Sequence, residues 1–107
     1  MCICNNTCVH EIRFSEDVLE DLAGLRPHDR NPILDAIEEQ LAHTPDTETR
    51  NRKVLMNLAP PFEAVPPVWE LRVGDYRVFY DVSSEEKTVT IRAVRRKPPH
   101  HSTEEIL

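Results

Sequence analysis

Basic side chains recur in the second half of the chain, on segments that alternate polar and apolar residues. Residues 69–73 and 76–82 alternate in this way, with Gly74 and Asp75 between them. This pattern predicts a β-hairpin, because Gly-Asp suits a two-residue turn between alternating strands. The hairpin places Arg72 beside Arg77 on one face. Since arginine keeps its charge and offers a planar fork of donors matched to phosphate, the pair predicts an anion site suited to a phosphodiester.

A third strand extends this basic row if the next connection is a four-residue loop. Counting from Val82 opposite Lys87 sets Arg77 opposite Arg92. Like charges that face each other in a sheet cost up to about 1 kcal/mol per pair, so three arginines in a row indicate a ligand rather than stability alone. The run from Val94 through Arg95, Arg96 and Lys97 continues the positive surface at the end of the strand.

An ordinary solvated surface is the alternative interpretation of the same arginines. Glu63, Glu70 and Asp81 lie on these segments and could neutralise the arginines, since exposed ion pairs are common and contribute little. Phe79 shares the predicted arginine face, where it could stack on a base or be covered by a loop. The aromatic residues Trp69 and Tyr80 fall on the other face and are assigned to the core.

Other reactive side chains lie near the two termini. Cys2, Cys4 and Cys8 are an odd number of thiols in one short segment, which predicts free thiols. Together with His10 they could bind a soft metal, but the spacing lacks the paired C-x2-C knuckles of zinc sites. The two histidines His100 and His101 could serve as a general acid or base near the basic end of the last strand. We expect neither a metal nor another cofactor.

The elements that must position the basic residues begin with a strand and two helices. His10, Ile12 and Phe14 alternate with polar residues, which predicts a short strand. Ser15 can cap a short helix whose first turn is acidic. A second helix is indicated by an apolar stripe, and it begins either near Pro27 or with Asn31 as its cap. The stripe consists of Ile33, Leu34, Ile37 and Leu41.

The basic segment at residues 50–53 then enters a strand that we place at residues 54–58. Four prolines between Ala59 and Trp69 cannot donate hydrogen bonds to a sheet, so that stretch is predicted to be a loop. The hairpin and the last strand follow. The fold class is therefore α+β, with the order β-α-α-β-β-β and two N-terminal helices packed on one face of an antiparallel sheet.

Length and charge limit the possibilities further. The chain has 107 residues, 39% of them hydrophobic, which suits one domain at residues 9–98 with tails at 1–8 and 99–107. It contains no apolar run near the ~20 residues of a membrane span and no basic leader, so we expect a cytoplasmic protein. The net charge of −6 conceals an asymmetry, because residues 1–49 hold three arginines and eleven acidic residues, whereas residues 50–97 hold ten basic and six acidic residues.

The chain resembles the RelE/ParE superfamily of bacterial toxins over roughly residues 9–98. The resemblance lies in the order of elements, the second helix, and above all the stretch WELRVGDYRVFY from Trp69 to Tyr80, followed by a strand that ends in two arginines and a lysine. It implies a toxin encoded beside a cognate antitoxin that wraps and inhibits it. In this superfamily, RelE-like members cleave mRNA on the ribosome, and ParE-like members poison DNA gyrase without cleaving RNA.

The resemblance also implies roles for individual residues. Arg77 matches the arginine that stabilises the scissile phosphate, and Arg96 and Lys97 match the basic position after the last strand. RelE-type enzymes carry two lysines where this chain has Val68 and Glu70, and a tyrosine near the C-terminus where it has Thr103. Glu70 is therefore a candidate base. The remaining expected RNA contacts are Arg72, Arg92, Arg95, Arg50, Arg52 and Lys53.

These implications favour a metal-independent mRNA endoribonuclease that attacks a phosphate through the neighbouring 2′-hydroxyl, with cations offsetting the charge of the transition state. The alternative is a ParE-like gyrase inhibitor, or an inert relative whose arginine face only holds the antitoxin. The expected partners are the antitoxin and either mRNA on the ribosome or DNA gyrase, and no membrane is involved.

Overall fold

The computed structural model describes residues 10–42, 47–55, 64, 67–83 and 85–97. These residues form two helices and five strands, which confirms the α+β class with both helices ahead of the hairpin. The five strands correspond to the five predicted segments, one more than the order β-α-α-β-β-β counts. In chain order the elements are β1 (Glu11–Phe14), α1 (Glu16–Ala23), α2 (Pro27–Leu41), β2 (Arg52–Leu55), β3 (Val68–Val73), β4 (Tyr76–Ser83) and β5 (Thr88–Arg96).

Local sequence accounts for where the helices begin. Ser15 caps α1, because its hydroxyl accepts a hydrogen bond from the backbone N–H of Val18 at 3.3 Å. Helix α2 begins at Pro27, which fills its first turn, and Pro32 lies inside the helix. The first of the two predicted starts is therefore confirmed. Neither helix in the described part of the chain has the length and apolarity that a membrane crossing needs.

The strands form one sheet in the order β1-β5-β4-β3-β2. Strands β2 to β5 pair antiparallel as predicted, whereas the edge strand β1 pairs parallel with β5. The expectation of a purely antiparallel sheet is corrected at this edge. The reason is topological, since the chain leaves β1 through two helices on one face and re-enters the sheet at the opposite edge.

The hairpin register is confirmed, but the register predicted for β4 and β5 is wrong. Arg72 faces Arg77, but Arg77 faces Arg95 rather than Arg92. Two differences add up to this shift. The last pair before the loop is Ser83 with Thr88, so Val82 faces Val89 rather than Lys87, and a β-bulge then leaves Arg92 as an extra residue between two paired segments. The bulge keeps both Ile91 and Val94 in the core on the helical face, although they lie three positions apart and strict alternation would separate them.

The two faces of the sheet carry cores of different size. The helical face packs α1 and α2 against residues of all three central strands, including Leu71, Val78 and the stacked pair Trp69 and Tyr80, whose ring centroids lie 6.2 Å apart. The opposite face has a smaller core of Val68, Phe79 and Ala93, packed against Leu55 and Ala64. Phe79 is fully buried there, so it is a packing residue and not a free platform for a base.

Candidate nucleic-acid interface

A pocket of about 290 Å³ opens where the β3–β4 hairpin turns, on the sheet face opposite the helices. It is called the basic pocket below. Its basic side chains come from four different segments of the chain, namely the entry to β2, the end of β3, the start of β4 and the residue after β5. The lining residues are Thr49, Arg50, Asn51, Arg52, Lys53, Glu70, Arg72, Arg77 and Lys97.

Arg77 is a buried cation that hydrogen bonds hold in place. Its residue is 7% exposed, and its Nη1 donates to the backbone carbonyls of Gly74 at 2.9 Å and Tyr76 at 2.8 Å. Burial, and next the neighbouring charge of Arg72, lower the pKa of the Arg77 guanidinium, while Glu70 and Asp75 act in the opposite direction. Arg77 is therefore a partly desolvated cation with a second arginine beside it.

Glu70 supplies a carboxylate to this cationic pocket. It faces Lys53 across strands β2 and β3, and the Lys53 Nζ lies 3.4 Å from Glu70 Oε1. The Glu70 side chain is only 5% exposed, whereas that of Lys53 is 56% exposed. A buried carboxylate next to two basic side chains can both hold the cations in place and accept a proton from a bound hydroxyl.

The basic segment before β2 divides its side chains between two roles. Arg50 is exposed beside the basic pocket. Arg52 instead lies opposite Leu71, a residue of the helical core, and its Nη1 donates to the backbone carbonyl of Gln40 at 2.8 Å. Arg52 is buried and joins β2 to the end of α2, although it also lines the basic pocket. Its expected RNA contact therefore stays a prediction.

Arg92 of the predicted row and Arg95 beyond it both bind carboxylates. The bulge directs Arg92 to Asp81, with Nε and Oδ2 2.7 Å apart and both side chains largely buried. Arg95 takes the backbone position beside Arg77, but its Nη1 donates to Asp21 of α1 at 2.7 Å. We therefore correct the predicted row of Arg72, Arg77 and Arg92, and neither Arg92 nor Arg95 lines the basic pocket.

The two basic residues at the end of β5 are separated by the alternation of the strand. Arg96 faces Tyr76, which belongs to the helical side, so Arg96 points away from the basic pocket. Lys97 lines the pocket, and its backbone N–H donates to the carbonyl of Asp75 at 2.7 Å. The structure therefore brings together Lys97, Arg77, Arg72 and Glu70, but not Arg96.

Sequence reasoning missed the polar turn before β2. Thr49 accepts from the backbone N–H of Asn51 through Oγ1 at 3.2 Å, and Asn51 accepts from the backbone N–H of Arg72 at 2.7 Å. This second bond uses the backbone carbonyl of Asn51 and joins the turn to the end of β3. The tendency of Thr to bond neighbouring backbone groups was a signal for such a turn.

Several expectations concern residues outside the described ranges. Cys2, Cys4 and Cys8, His100 and His101, Glu63 and Thr103 all fall there. Within the described ranges, no group of three His, Cys, Asp or Glu side chains is arranged to hold a metal ion. Val68, which stands where RelE-type enzymes carry a lysine, is 2% exposed in the smaller core.

Three solved structures are similar to this chain. The toxin–antitoxin complex RelBE2 from Mycobacterium tuberculosis matches with a TM-score of 0.68 and 25% sequence identity, over 85% of this chain and 94% of that chain. The RelE–RelB complex of Pyrococcus horikoshii has a TM-score of 0.65 and 20% identity, over 88% and 99% of the two chains. The isolated RelE toxin of E. coli has a TM-score of 0.63 and 18% identity, over 90% of each chain.

Sequence comparison gives a family as well as a fold. No curated protein is similar enough in sequence to count as a relative. The family described as the ParE toxin of the type II toxin–antitoxin system parDE matches residues 12–97, which include both helices, all the strands from β2 to β5 and the whole basic pocket. The chain therefore belongs to the ParE toxin family within the RelE/ParE superfamily, and it is a toxin of a type II toxin–antitoxin system.

Proposed function

We propose that this toxin is an endoribonuclease that needs no metal, cleaves mRNA on the ribosome in the cytoplasm, and thereby stops translation. One observation carries the proposal. The basic pocket places a fixed, buried arginine and a buried carboxylate among cations from four segments of the chain. Such a constellation suits a phosphodiester whose neighbouring hydroxyl must lose a proton.

The first requirement of this function is a phosphate site, and Arg72 and Arg77 supply it. They face each other across the hairpin. In the described part of the chain, no carboxylate lies at ion-pairing distance from either guanidinium. Two adjacent arginines without such a counterion are unfavourable by themselves, and a phosphate oxygen bound between them removes the repulsion. Arg50 and Lys97 then contact the neighbouring backbone of the RNA.

The second requirement is proton transfer at the 2′-hydroxyl, which we assign to Glu70. The 2′-oxygen forms a bond to phosphorus while its proton passes to the Glu70 carboxylate, and the bond from phosphorus to the 5′-oxygen breaks. The leaving oxygen takes a proton from Lys97 or Lys53. Arg77 offsets the charge that develops on the phosphoryl oxygens, and its two backbone hydrogen bonds keep it oriented throughout. The products are a 2′,3′-cyclic phosphate and a 5′-hydroxyl.

The net acidity of the chain does not prevent RNA binding at this site. The acidic side chains of α1, such as Glu16, Asp17 and Glu20, lie on the helical layer, whereas the basic pocket opens on the other face of the sheet. Fields of exposed charges fall off over about one Debye length, ~10 Å at moderate salt. The pocket can therefore attract RNA locally while the helices remain acidic.

A cognate antitoxin is the proposed protein partner. The similar structure from Mycobacterium tuberculosis is a complex of a toxin with its antitoxin, and the matching family is defined by toxin–antitoxin pairs. We infer that a neighbouring gene encodes an antitoxin that binds this chain and inhibits it.

A second function, inhibition of DNA gyrase, has one specific observation in its favour. The matching family is that of ParE toxins, and ParE-like members poison gyrase rather than cleave RNA. In that case the basic pocket contacts DNA or gyrase and Glu70 has no role as a base. Growth arrest with intact mRNA and induced DNA damage would favour this alternative.

Cleavage of mRNA by purified protein on translating ribosomes tests the proposal. We expect Arg77→Ala to abolish cleavage, because it removes the fixed cation at the phosphate. Arg13→Ala is the matched control, since Arg13 is an exposed arginine of β1 that pairs with Glu11 and lies outside the pocket, and it should cleave normally. Full cleavage or full toxicity in the Arg77→Ala variant would contradict the proposal.

A further inference from the structure

We propose that the turn at Gly74 and Asp75 is a positioning element of the basic pocket, which sets the guanidinium of Arg77 and the backbone of Lys97 relative to each other. This inference rests on the proposed function, since it assigns a task to a turn next to the phosphate site. It extends the site to two residues that would otherwise only connect strands.

Three successive backbone carbonyls of the hairpin carry the argument. Those of Gly74 and Tyr76 accept from Arg77 Nη1 at 2.9 and 2.8 Å. The carbonyl between them, of Asp75, accepts from the backbone N–H of Lys97 at 2.7 Å. Lys97 directly follows β5, so one turn holds a side chain of β4 and the end of a third strand. A change in the turn must therefore displace both cations.

The carbonyl bonds also decide which edge of Arg77 is available to a ligand. Nη1 is occupied by the two carbonyls, and no acceptor in the described ranges bonds Nε or Nη2. The edge formed by Nε and Nη2 is one of the two that can bind a phosphate through paired hydrogen bonds. Rotation of the guanidinium would break both carbonyl bonds, so the turn fixes this edge before RNA arrives, and less side-chain entropy is lost on binding.

The conformation of the turn depends on glycine. Gly74 has a φ of +57°, while Asp75 has no positive φ, which matches the φ signs of a type II′ turn. Every L residue is strained at this positive φ, a β-branched residue most and Asn least. A Cβ at Gly74 would meet no atom within 4 Å. A substitution there therefore acts through the backbone conformation and not through a clash in the core.

A double-mutant cycle on RNA binding tests the inference. The probe is a short RNA with 2′-O-methyl groups, which cannot be cleaved, so the readout does not depend on catalysis. We expect Gly74→Val to weaken binding about tenfold, as expected when hydrogen bonds to a charged group are lost. Gly74→Asn should bind within about twofold of the wild type. In an Arg77→Ala background, Gly74→Val should retain only the part of its effect that acts through Lys97.

Each outcome of the cycle supports or overturns the inference that the turn positions Arg77. A tenfold loss from Gly74→Val in both backgrounds would show that the turn does not act through Arg77, and unchanged binding would show that it does not act at all. Both results overturn the inference. If Gly74→Val lowers the thermal stability too far for measurement, Gly74→Ala takes its place, with the same expected pattern and a smaller loss.

The side-chain NMR signal of Arg77 gives a readout that does not depend on RNA. The Arg77 Nε–Hε resonance should shift in Gly74→Val and stay in place in Gly74→Asn, and an unmoved resonance in both variants overturns the inference. Failure of the proposed function has a different signature, which is absence of mRNA cleavage by the wild-type protein while the Arg77 resonance still responds to the turn.

Discussion

Arg77 and Arg92 lie on the same sheet face, yet they end in opposite environments. Arg77 lies at the turn end, where its Nη1 bonds two backbone carbonyls and its closest cross-strand neighbour is another arginine. Arg92 lies at the bulge end, where Asp81 neutralises it at 2.7 Å. Between the two ends is the small dry core around Phe79. The same residue type therefore pairs with a carboxylate of the fold at one end, and at the other end it is the proposed ligand of a phosphate.

The difference shows why a count of arginines does not locate a nucleic-acid site. What matters is whether the protein places a carboxylate next to the arginine. Asp81 matches Arg92 and Asp21 matches Arg95, whereas the described residues provide no such partner for Arg72. Arginines with a counterion from the chain are structural, and we propose that an external anion binds where arginines lie close together without one.

The largest expected effect comes from removing the carboxylate at the turn end. Glu70→Gln keeps the size of the side chain but cannot accept the 2′-hydroxyl proton, so we expect mRNA cleavage to fall by roughly 10³-fold. Binding of 2′-O-methyl RNA should stay the same or become tighter, since a negative charge leaves the pocket. Single-turnover cleavage and a binding titration measure the two effects. Equal loss in both would assign Glu70 to the structure and not to the reaction.

Substitutions at the bulge end should lower the stability of the fold and leave RNA binding and cleavage unchanged. Arg92→Ala leaves Asp81 buried without its partner, and we expect the free energy of unfolding to fall by roughly 3 kcal/mol. Replacing both residues, as in Arg92→Met with Asp81→Leu, should restore most of this loss. Urea unfolding gives the values. A loss of RNA affinity in the double variant, at full stability, would contradict the separation of the two ends.

Arg52 and Arg50 sharpen the comparison within one segment. Arg52→Ala removes the hydrogen bonds to Gln40 and Thr49, so we expect the free energy of unfolding to fall by about 2 kcal/mol. Arg50→Ala is the matched control and should unfold like the wild type, because Arg50 is exposed. Similar destabilisation by both changes would show that the two arginines do not differ in role.

The smallest expected effect is that of Arg50 on RNA binding. Arg50→Ala should weaken binding of a single-stranded RNA about threefold, as for an exposed ionic contact. It should also lower the slope of log affinity against log salt by about 0.7, because one phosphate contact is lost. Titrations at several salt concentrations measure this slope. An unchanged slope would place Arg50 outside the interface.

The sequence was sufficient for the features that depend on local chemistry. The Gly-Asp turn determined the hairpin register, Ser15 the start of α1, and the alternation of β3 the position of Trp69 in the core. It was not sufficient for the register between β4 and β5, where the extra residue of a bulge changes which residues face each other. The bulge at Arg92 satisfies the core on both sides of it, so its position depends on packing that no local pattern records.

The remaining differences from the sequence interpretation share a cause in tertiary structure. Arg52 was grouped with its basic neighbours, whereas the direction of its side chain follows from pairing with Leu71. The alternation of β4 left open whether Phe79 is available to stack on a base or is covered by a loop, and the smaller core on the face away from the helices buries it. The parallel pairing of β1 depends on where two helices return the chain. Each of these depends on which element lies on which side of the sheet.

Arginine side-chain NMR during titration with 2′-O-methyl RNA tests the central claim most directly, because the Nε–Hε resonances of both ends are observed in the same sample. The account predicts that the signals of Arg72 and Arg77 shift as RNA binds, while that of Arg92 does not move. Shifts at Arg92 with Arg72 and Arg77 unchanged would place the nucleic acid at the bulge end and contradict the account.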